Sequence, residues 1–307
     1  MQIFRQLQPV KQLFPNIVLT MGNFDGLHLG HKAILDKVRA IAGELGGTPA
    51  VFTFESHPLC LLNPANCPAQ LTTLEERLSL FAQEGVKLTL CIPFTYELAN
   101  LTAEQFLAQV VAEFIRPRQI VVGYDFAFGK NRRGDIHLLR QMQERYGYKV
   151  SQVEAVKVGG ETVCSTLIRQ KIVSGEVSEA RLLLGRPYGV SGQVVRGKQR
   201  GASLGFPTAN LSRVTKQIPK PGVYAVSVEW AGKLYAGVAN IGYQPTFGGD
   251  KLEIEVHLLD FKQDIYGENI ILFFIERLRD EQAFTGPDQL KAQIAQDCSL
   301  ARQILKG

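Results

Sequence analysis

Residues Gly22–His31 read G-N-F-D-G-L-H-L-G-H, and this stretch decides how the first half of the chain folds. The apolar run Ile17–Met21 comes directly before it, and a segment of helical period follows it. Glycine has no Cβ, so its backbone can approach a ligand closely, and the free N–H groups at the start of a helix attract anions. The stretch therefore predicts a strand, a tight phosphate-binding turn and a helix.

Two histidines in this stretch, His28 and His31, are three residues apart and therefore share one face of the predicted helix. There they can donate hydrogen bonds to phosphate oxygens as charge develops, as adenylyl transfer without a covalent intermediate requires. The spacing fits neither a G-x-G-x-x-G dinucleotide motif nor a P-loop. The alternative is a tight glycine turn with two hydrogen-bonded, partly buried histidines, but the preceding strand and following helix favour phosphate binding.

Short apolar runs alternate with segments of helical period from Ile17 to about Ala155. Each run is continuous enough to be buried on both faces of a sheet. The predicted strands are Ile17–Met21, Ala50–Phe54, Leu88–Ile92 and Gln119–Val122. Capping-box patterns predict helices that begin at Thr73, with Glu76, and at Thr102, with Gln105. The pattern predicts a Rossmann-like α/β domain around a parallel sheet.

Helical periodicity nearly disappears after Gly185-Arg186-Pro187 and returns only at Pro287. The intervening strands are predicted at Val190–Val195, Val223–Trp230, Leu234–Ala239, Leu252–Leu259 and Ile270–Glu276, with a hairpin at Trp230–Lys233. Apolar residues alternate most clearly in Leu252–Leu258. We therefore predict two domains, residues 1–185 and 186–307, the second an antiparallel β-barrel with a terminal helix.

Composition limits the classes of protein that the chain can represent. With 307 residues it exceeds the usual size of one hydrophobic core, and Lys plus Arg exceed Asp plus Glu by only 34 to 29. Basic residues gather only at Arg132-Arg133 and between Arg196 and Arg200, so we expect no nucleic-acid partner. No apolar run is long enough to span a membrane, and a cytoplasmic protein without membrane partners is expected.

The number and spacing of the cysteines also limit the classes of protein that the chain can represent. Five cysteines are present, with no C-x-x-C pair and no histidine at zinc-ligand spacing. We therefore expect neither a disulfide framework nor a zinc site.

A second motif region, Gly201–Leu211, combines glycines, a proline and small polar side chains within a region otherwise built from strands. Ser, Thr and Asn often hydrogen-bond their own backbone in turns, so an ordinary turn is one interpretation. Hydroxyl and amide oxygens are also the ligands that Mg²⁺ prefers when it bridges ATP phosphates. The Thr208 hydroxyl and the Asn210 carbonyl could supply such oxygens.

These motifs resemble those of a known family. The H-x-G-H end of Gly22–His31 is similar to the signature of the nucleotidyltransferase superfamily, and the whole stretch resembles the prokaryotic bifunctional riboflavin kinase/FAD synthetase family. Three later segments match that family in order: 52–58, 121–130 and 164–169. Pro207–Asn210 resembles the P-T-A-N signature of riboflavin kinases, and the likeness continues through 221–224, 240–247, 255–261 and 278–279.

The resemblance implies an adenylyltransferase site in the first domain, with ATP and FMN as substrates. His28, His31 and Arg169 would be its catalytic residues, the histidines stabilising the transition state and Arg169 holding phosphates with a planar fork. The implied binding residues are Gly22, Asn23, Phe24, Asp25, Gly26, His57, Asp125, Ser165 and Thr166. Phe54, Phe126 and Phe128 are candidates for the flavin pocket, with a place in the hydrophobic core as the alternative for each.

For the second domain the resemblance implies phosphorylation of riboflavin by ATP. Thr208 and Asn210 would form the Mg²⁺ and ATP site, and Glu255 would be the base that takes the ribityl proton. Gly205, Phe206 and Arg279 are the further binding residues. Glu255 on an outward strand face could alternatively be a solvated charge.

The chain departs from the family pattern at a few positions, and two other functions stay open. Ser56 and Cys164 replace the usual proline and serine, Leu167 removes a possible phosphate contact, and Ala202 replaces a common basic residue for which Lys198 or Arg200 could compensate. A monofunctional adenylyltransferase with a nucleotide-binding barrel is one alternative, and a nucleic-acid-binding barrel is the other. The sequence does not determine the oligomeric state.

Overall fold

The computed structural model describes residues 1–197, 201, 204–246 and 249–306. Lys198, Arg200 and Ala202, which bear on the glycine loop, lie outside the described residues. The chain forms two compact units, Met1–Ser165 and Thr166–Gly307. This division does not test where two separately folding and separately active domains would meet. The domain boundary predicted after Gly185 therefore stays a prediction.

A six-stranded sheet in which every pairing is parallel forms the centre of the first unit. Its strands, in the spatial order β1-β4-β3-β2-β5-β6, are β1 (Gln2–Phe4), β2 (Val18–Met21), β3 (Pro49–Phe54), β4 (Leu88–Ile92), β5 (Gln119–Gly123) and β6 (Lys149–Val153). The predicted parallel sheet is confirmed. The two edge strands were not predicted, because β1 has only three residues and β6 contains three polar residues among its five.

Helices flank this sheet. They are α1 (Leu29–Glu44), α2 (Pro58–Leu62), α3 (Leu74–Gln83), α4 (Tyr96–Asn100), α5 (Ala103–Phe106), α6 (Ile136–Gln141) and α7 (Gln143–Tyr146). Helix α5 continues as a π-helical segment, Leu107–Ile115, and the short strands β7 (Lys157–Val158) and β8 (Glu161–Thr162) form a separate pair. The capping boxes at Thr73 and Thr102 are both present, as predicted.

Both faces of the parallel sheet are buried, which explains why its central strands are continuously apolar. Leu19 and Phe52 belong to a core cluster that also contains Phe106 and Leu107 of the helical layer on one face. The neighbouring residues Val18 and Val51 belong to separate clusters, and Val18 packs there with Val38 of α1. Because successive side chains of a strand point to opposite faces, this division requires helices on both sides.

The second unit contains a closed antiparallel barrel, again as predicted. Its strands are β9 (Tyr188–Val195), β10 (Ala209–Ser212), β11 (Gly222–Trp230), β12 (Lys233–Thr246), β13 (Gly249–Leu258) and β14 (Asn269–Arg279), in the spatial order β10-β13-β12-β11-β14-β9. Helices α8 (Ser165–Ser174) and α9 (Val177–Leu184) precede the barrel, and α10 (Pro287–Lys306) follows it. Closure comes from β10, which pairs with β9 and was not predicted.

Two local predictions in the barrel are confirmed. Trp230 pairs with Lys233, and the two residues between them have φ angles of 49° and 73°, as a tight two-residue hairpin requires. Ile254, Val256 and Leu258 are buried while the residues between them are half-buried, so the predicted alternation holds from Ile254 onward. Leu252, at the start of the predicted pattern, is half-buried. The terminal helix packs Cys298 and Ala301 against Val223 on the barrel exterior.

The structure contains a disulfide, which the expectation of no disulfide framework did not foresee. Cys60 in α2 is bonded to Cys67, with their Cα atoms 4.4 Å apart. The chain reverses between the end of α2 and a short 3₁₀ turn, Pro64–Asn66, which brings the two cysteines together. Their separation of seven residues matches no C-x-x-C pattern, so spacing gave no signal.

Helices α8 and α9 pack on the barrel, which makes the predicted boundary testable. Val177, Ala180, Leu183 and Leu184 are all buried, and the Lys220 amide donates to the carbonyl of Ile172. We expect residues 166–307 to unfold roughly 5–10 °C above residues 186–307, because the shorter fragment exposes the surface that these side chains cover. Circular dichroism during heating measures the difference.

Both fragments are expected to convert riboflavin to FMN, and neither to convert FMN to FAD, because the kinase motifs all follow Arg186. A folded 186–307 fragment that makes no FMN would contradict the boundary.

Candidate active sites

The turn that contains His28 lies at the carboxyl end of β2, in the middle of the parallel sheet. From β2 the chain builds one side of the sheet through β3 and β4, and later the other side through β5 and β6. In such sheets ligands bind at the carboxyl ends of the strands where the strand order reverses, here between β2 and β5. His57 follows β3 and Asp125 follows β5, so the topology brings these predicted residues to the same edge.

The backbone of this turn adopts unusual angles. Phe24, Gly26 and Leu27 have φ angles of 53°, 84° and 36°. A non-glycine residue in the left-handed region costs on the order of 1–3 kcal/mol and persists only where surrounding contacts impose it. The contacts come from Thr72 and its neighbours: the Asp25 carboxylate accepts from the Leu71 and Thr72 amides, and the Gly26 amide donates to the Thr72 hydroxyl.

His28 acts as the N-cap of α1. Its Nδ1 accepts a hydrogen bond of 3.3 Å from the His31 amide, a task usually performed by Ser, Thr, Asp or Asn. This bond requires an unprotonated Nδ1, so in a neutral His28 the proton is on Nε2. The His31 ring stacks on His28 with the centroids 3.6 Å apart, and Phe24 contacts His31 edge-on. The two imidazoles therefore form one unit at the start of the helix.

The structure also brings the later motif Cys164-Ser165 to this turn. The Ser165 hydroxyl donates to the Asp25 carbonyl at 2.9 Å. Thr166 and Arg169 continue into α8 within the second compact unit, where Thr166 is exposed and Arg169 half-buried. Ser165 therefore contacts the turn directly.

Some predicted binding residues have their side chains turned into the protein. The Asp25 carboxylate is buried and engaged with Leu71 and Thr72, and the Phe24 ring packs edge-on against Phe81 with the centroids 5.5 Å apart. A ligand contact by Phe24 would therefore come from its backbone. His57 caps α2 by accepting from the Leu59 amide, while Asp125 is exposed.

The aromatic residues proposed for the flavin pocket are partly buried and pack against the main core of the first unit. Phe54 contacts Phe94 at 4.9 Å between centroids, and Phe126 stacks on Phe128 at 5.4 Å. All three rings thus pack on the core, and their role in a flavin pocket stays a prediction.

In the barrel, strand register places the predicted catalytic residues side by side. Glu255 on β13 pairs with Asn210 on β10 at one side and with Asn240 on β12 at the other. Directly opposed residues of antiparallel strands point to the same face, so these three polar side chains form a row on the barrel exterior. Asn240 in turn pairs with Val223, which pairs with Arg279 on β14. One row thus connects the segments that resemble riboflavin kinases.

A cleft of about 310 Å³ is lined by Thr208 and Ala209, the two residues that directly precede Asn210. Val194, Phe261 and Tyr266 contribute apolar surface to this cleft. Its polar lining comes from Thr208, Lys262, Gln263 and Asp264. The segment before Thr208 contacts β13, because His257 Nδ1 lies 2.8 Å from the Pro207 carbonyl and the His257 ring contacts Phe206. The volume is at the lower end of the range typical of small-ligand pockets.

The surroundings of Asn210 fit a site that holds an ion through oxygen ligands. Its side chain is only 7% exposed, and a Cβ at Gly197 would lie 2.2 Å from its amide nitrogen. A Cβ at Gly201 would lie 3.2 Å from the Thr208 methyl group. These glycines therefore leave room for the two side chains that could supply hydroxyl and carbonyl oxygens, the ligands that Mg²⁺ prefers.

Arg279, predicted as a substrate contact, makes a bidentate ion pair with Asp297 of the terminal helix. Its Nε donates to Asp297 Oδ1 at 3.0 Å and its Nη2 to Oδ2 at 2.8 Å. Asp297 is 5% exposed and also accepts from Gln293. The described structure therefore uses this guanidinium to fix α10 to β14.

Sequence reasoning missed several residues that shape the two sites: Thr72, Arg77, Asn240, His257 and Asp297. Asn240 and His257 belong to segments of the family resemblance, and strand alternation already placed His257 on the face of Glu255. Thr72 directly precedes a capping-box threonine, but nothing in its spacing indicates that it bonds to a turn 46 residues earlier.

Substitution of two glycines, one in each unit, tests whether the two sites carry out different reactions. A Cβ at Gly30 would lie 3.1 Å from the His28 ring, whereas one at Gly197 would displace Asn210. We expect Gly30→Ala to lower adenylylation of FMN by about 10-fold through misplacement of the histidines, and Gly197→Ala to lower phosphorylation of riboflavin similarly. Each variant is the control for the other, and rates of both reactions are measured in both proteins. Loss of the same activity in both variants would contradict the assignment.

The first unit has two stacked histidines in a glycine-containing turn on a parallel sheet. The second has a barrel with a Thr-Asn motif and a facing glutamate. Together they define a two-domain nucleotide-dependent transferase. Residues 10–167 match the family model of FAD synthetase, and residues 184–305 match that of riboflavin kinase. The chain belongs to the bifunctional riboflavin kinase/FMN adenylyltransferase family. Because both models match, the bifunctional interpretation is supported over the monofunctional alternative.

Curated relatives cover almost the whole chain. The bifunctional riboflavin kinase/FMN adenylyltransferase of Escherichia coli K12 is 40% identical over 288 residues, 94% of this chain and 92% of that protein. Its namesake from Pseudomonas fluorescens is 37% identical over 305 residues, 99% of this chain and 98% of that protein.

A solved structure is also similar throughout. A crystal structure described as a macrolide-efflux protein from Streptococcus pneumoniae has a TM-score of 0.89 and 31% identity, and the match covers 98% of this chain and 99% of that one. Among the residues described for our chain, no helix has the length and apolarity needed to cross a membrane.

Proposed function

We propose that this chain phosphorylates riboflavin to FMN at the barrel and transfers an adenylyl group to FMN at the parallel sheet, using ATP in both reactions. The observation that carries the proposal is the polar row of Asn210, Glu255 and Asn240 in one unit and the paired imidazoles of His28 and His31 in the other. The two family matches support it, since each covers one of these constellations.

In the kinase reaction, Glu255 accepts the proton of the terminal ribityl hydroxyl of riboflavin. The hydroxyl oxygen then forms a bond to the γ-phosphorus of ATP, and the bond from that phosphorus to the β–γ bridging oxygen breaks, giving FMN and ADP. Thr208 and Asn210 would hold Mg²⁺, which when bound neutralises charge on the ATP phosphates. The cleft beside Thr208 is the proposed nucleotide site.

In the adenylyl transfer, a phosphate oxygen of FMN attacks the α-phosphorus of ATP, and pyrophosphate leaves. His28 and His31 donate hydrogen bonds to the phosphate oxygens on which charge develops. The first amides of α1 add partial positive charge at the same place. Ser165, Thr166 and Arg169 are proposed to hold the phosphates, and Asp125 and His57 to border the nucleotide.

Incubation of the purified protein with riboflavin, ATP and Mg²⁺, followed by chromatography of the flavins, tests this function. We expect FMN to appear first and FAD to follow. Addition of EDTA in excess should stop both reactions if the ATP phosphates need a divalent cation. FMN without FAD would contradict the adenylyl-transfer assignment, and FAD formed only when FMN is supplied would contradict the kinase assignment.

A further inference from the structure

We infer that Arg77 is a positioning residue for adenylyl transfer: it fixes the turn that carries His28 by tying it to the end of β3. The inference rests on the proposed function of that turn. Arg77 belongs to none of the motifs, and it lies 54 residues after the carbonyl group to which it donates.

The contacts of Arg77 join two segments of the site. Its Nη1 donates to the Asn23 carbonyl at 2.7 Å, and its Nη2 donates to the carbonyls of Phe54 and Glu55. Asn23 precedes the left-handed residue Phe24, and Glu55 is two residues before His57. One guanidinium therefore sets the distance between the phosphate-binding turn and the segment that follows β3.

A second contact from the same part of the chain holds the other side of the turn. Leu71 and Thr72, which precede α3, donate to the Asp25 carboxylate, while Arg77 in α3 holds Asn23. The capping box of Thr73 fixes the start of α3 between these contacts. Segment 71–77 thus clamps the turn on both sides of Phe24, whose backbone would not keep its angles unaided.

The burial of Arg77 is consistent with a role in fixing the turn. The residue is only 6% exposed, and burial lowers its pKa, while Coulombic interactions with Cys91 and with Asp25 oppose that shift. A charged group in such a place needs hydrogen-bond acceptors. Backbone carbonyls supply them to Nη1 and Nη2, while Nε is buried without a hydrogen-bond partner in the described part of the chain. The planar fork of arginine can reach two segments at once, whereas a lysine ammonium is a single point.

Loss of the hydrogen bonds from Arg77 is expected to slow the chemical step of adenylyl transfer. A displacement of catalytic groups by about 1 Å can cost up to ~10²-fold in rate. We therefore expect Arg77→Met to lower kcat for FMN adenylylation by about 10- to 100-fold, with KM for ATP changed by less than about threefold. Arg77→Lys should restore part of the loss, since it can still bond to one segment.

The experiment uses the full-length chain with three readouts. Steady-state kinetics gives kcat and KM for FMN adenylylation, and riboflavin phosphorylation in the same sample shows whether the barrel is intact. Hydrogen exchange is followed in peptides that cover residues 22–31 and in peptides of β4. Arg39→Met is the control, because Arg39 is exposed and pairs with Asp36 on the surface of α1.

Faster exchange in residues 22–31 without a change in β4, together with the selective fall in kcat, would support the inference. A kcat for Arg77→Met within twofold of the wild type would overturn it, as would a pure rise in KM. If β4 also exchanges faster, Arg77→Lys decides, because lysine keeps the buried positive charge but can bond to only one of the two segments. A kcat equal to that of the wild type in this variant would overturn the inference, and a selective fall in kcat with normal exchange in β4 would support it.

These outcomes are distinct from failure of the proposed function. A wild-type protein that makes no FAD from FMN would refute the function of the turn itself. A wild-type protein that makes FAD, with an equally active Arg77→Met variant, would refute only the role of Arg77.

Discussion

Glu255→Gln is expected to lower riboflavin phosphorylation by roughly 10²- to 10⁴-fold, while adenylylation of supplied FMN continues at the normal rate. Glutamine keeps the shape and the hydrogen-bonding capacity of the side chain, but it cannot accept the ribityl proton. Glu255 is half-buried between Asn210 and Asn240 on the face opposite the barrel core, so the substitution should cost little stability. The measurement is the rate of FMN formation from riboflavin at saturating ATP.

The matched control is Glu253→Gln. Glu253 lies two residues earlier on the same strand and the same face, but it pairs with Gly242 and has no asparagine opposite it on β12. We expect this variant to phosphorylate riboflavin normally. A Glu255→Gln protein with near-normal phosphorylation would rule out the base, and loss of both activities would show that Glu255 is needed for the fold.

The fold could be predicted where one physical signal dominated the local sequence. The central strands β2 to β5 are buried on two faces and must therefore be apolar throughout, which made them visible. Strand β10 could not be recognised because its four residues, Ala209–Ser212, combine a short length with polar side chains. Its strand character comes from pairing with β9 and β13, partners distant in sequence.

The candidate sites could be predicted where the proposed chemistry requires particular residue types close together in the sequence. His28 with His31, and Thr208 with Asn210, are such pairs. The direction in which an individual side chain points was not predictable from the sequence. Asp25 and Arg279 are chemically suited to bind ligands, but Asp25 accepts from Thr72 and Arg279 donates to Asp297. Those partners lie 47 and 18 residues away, so only the tertiary structure reveals them.

His31→Ala is expected to lower adenylylation of FMN by something like 10²-fold, the usual scale for loss of one transition-state donor, with riboflavin phosphorylation intact. The His31 amide still donates to His28 Nδ1 in this variant, because that bond uses the backbone. The helix cap should therefore survive, and the effect should report on the imidazole that stacks on His28. Rates of FAD formation from FMN and ATP measure it.

His137→Ala is the control for the loss of an imidazole, since His137 is exposed on α6. It should leave both activities unchanged. Equal loss of both activities in a folded His31→Ala protein would mean that His31 is structural. A selective loss of adenylylation would instead show that the His31 ring stabilises charge on the phosphates. Because the helix cap is intact in His31→Ala, that variant differs from the wild type by the missing hydrogen-bond donor.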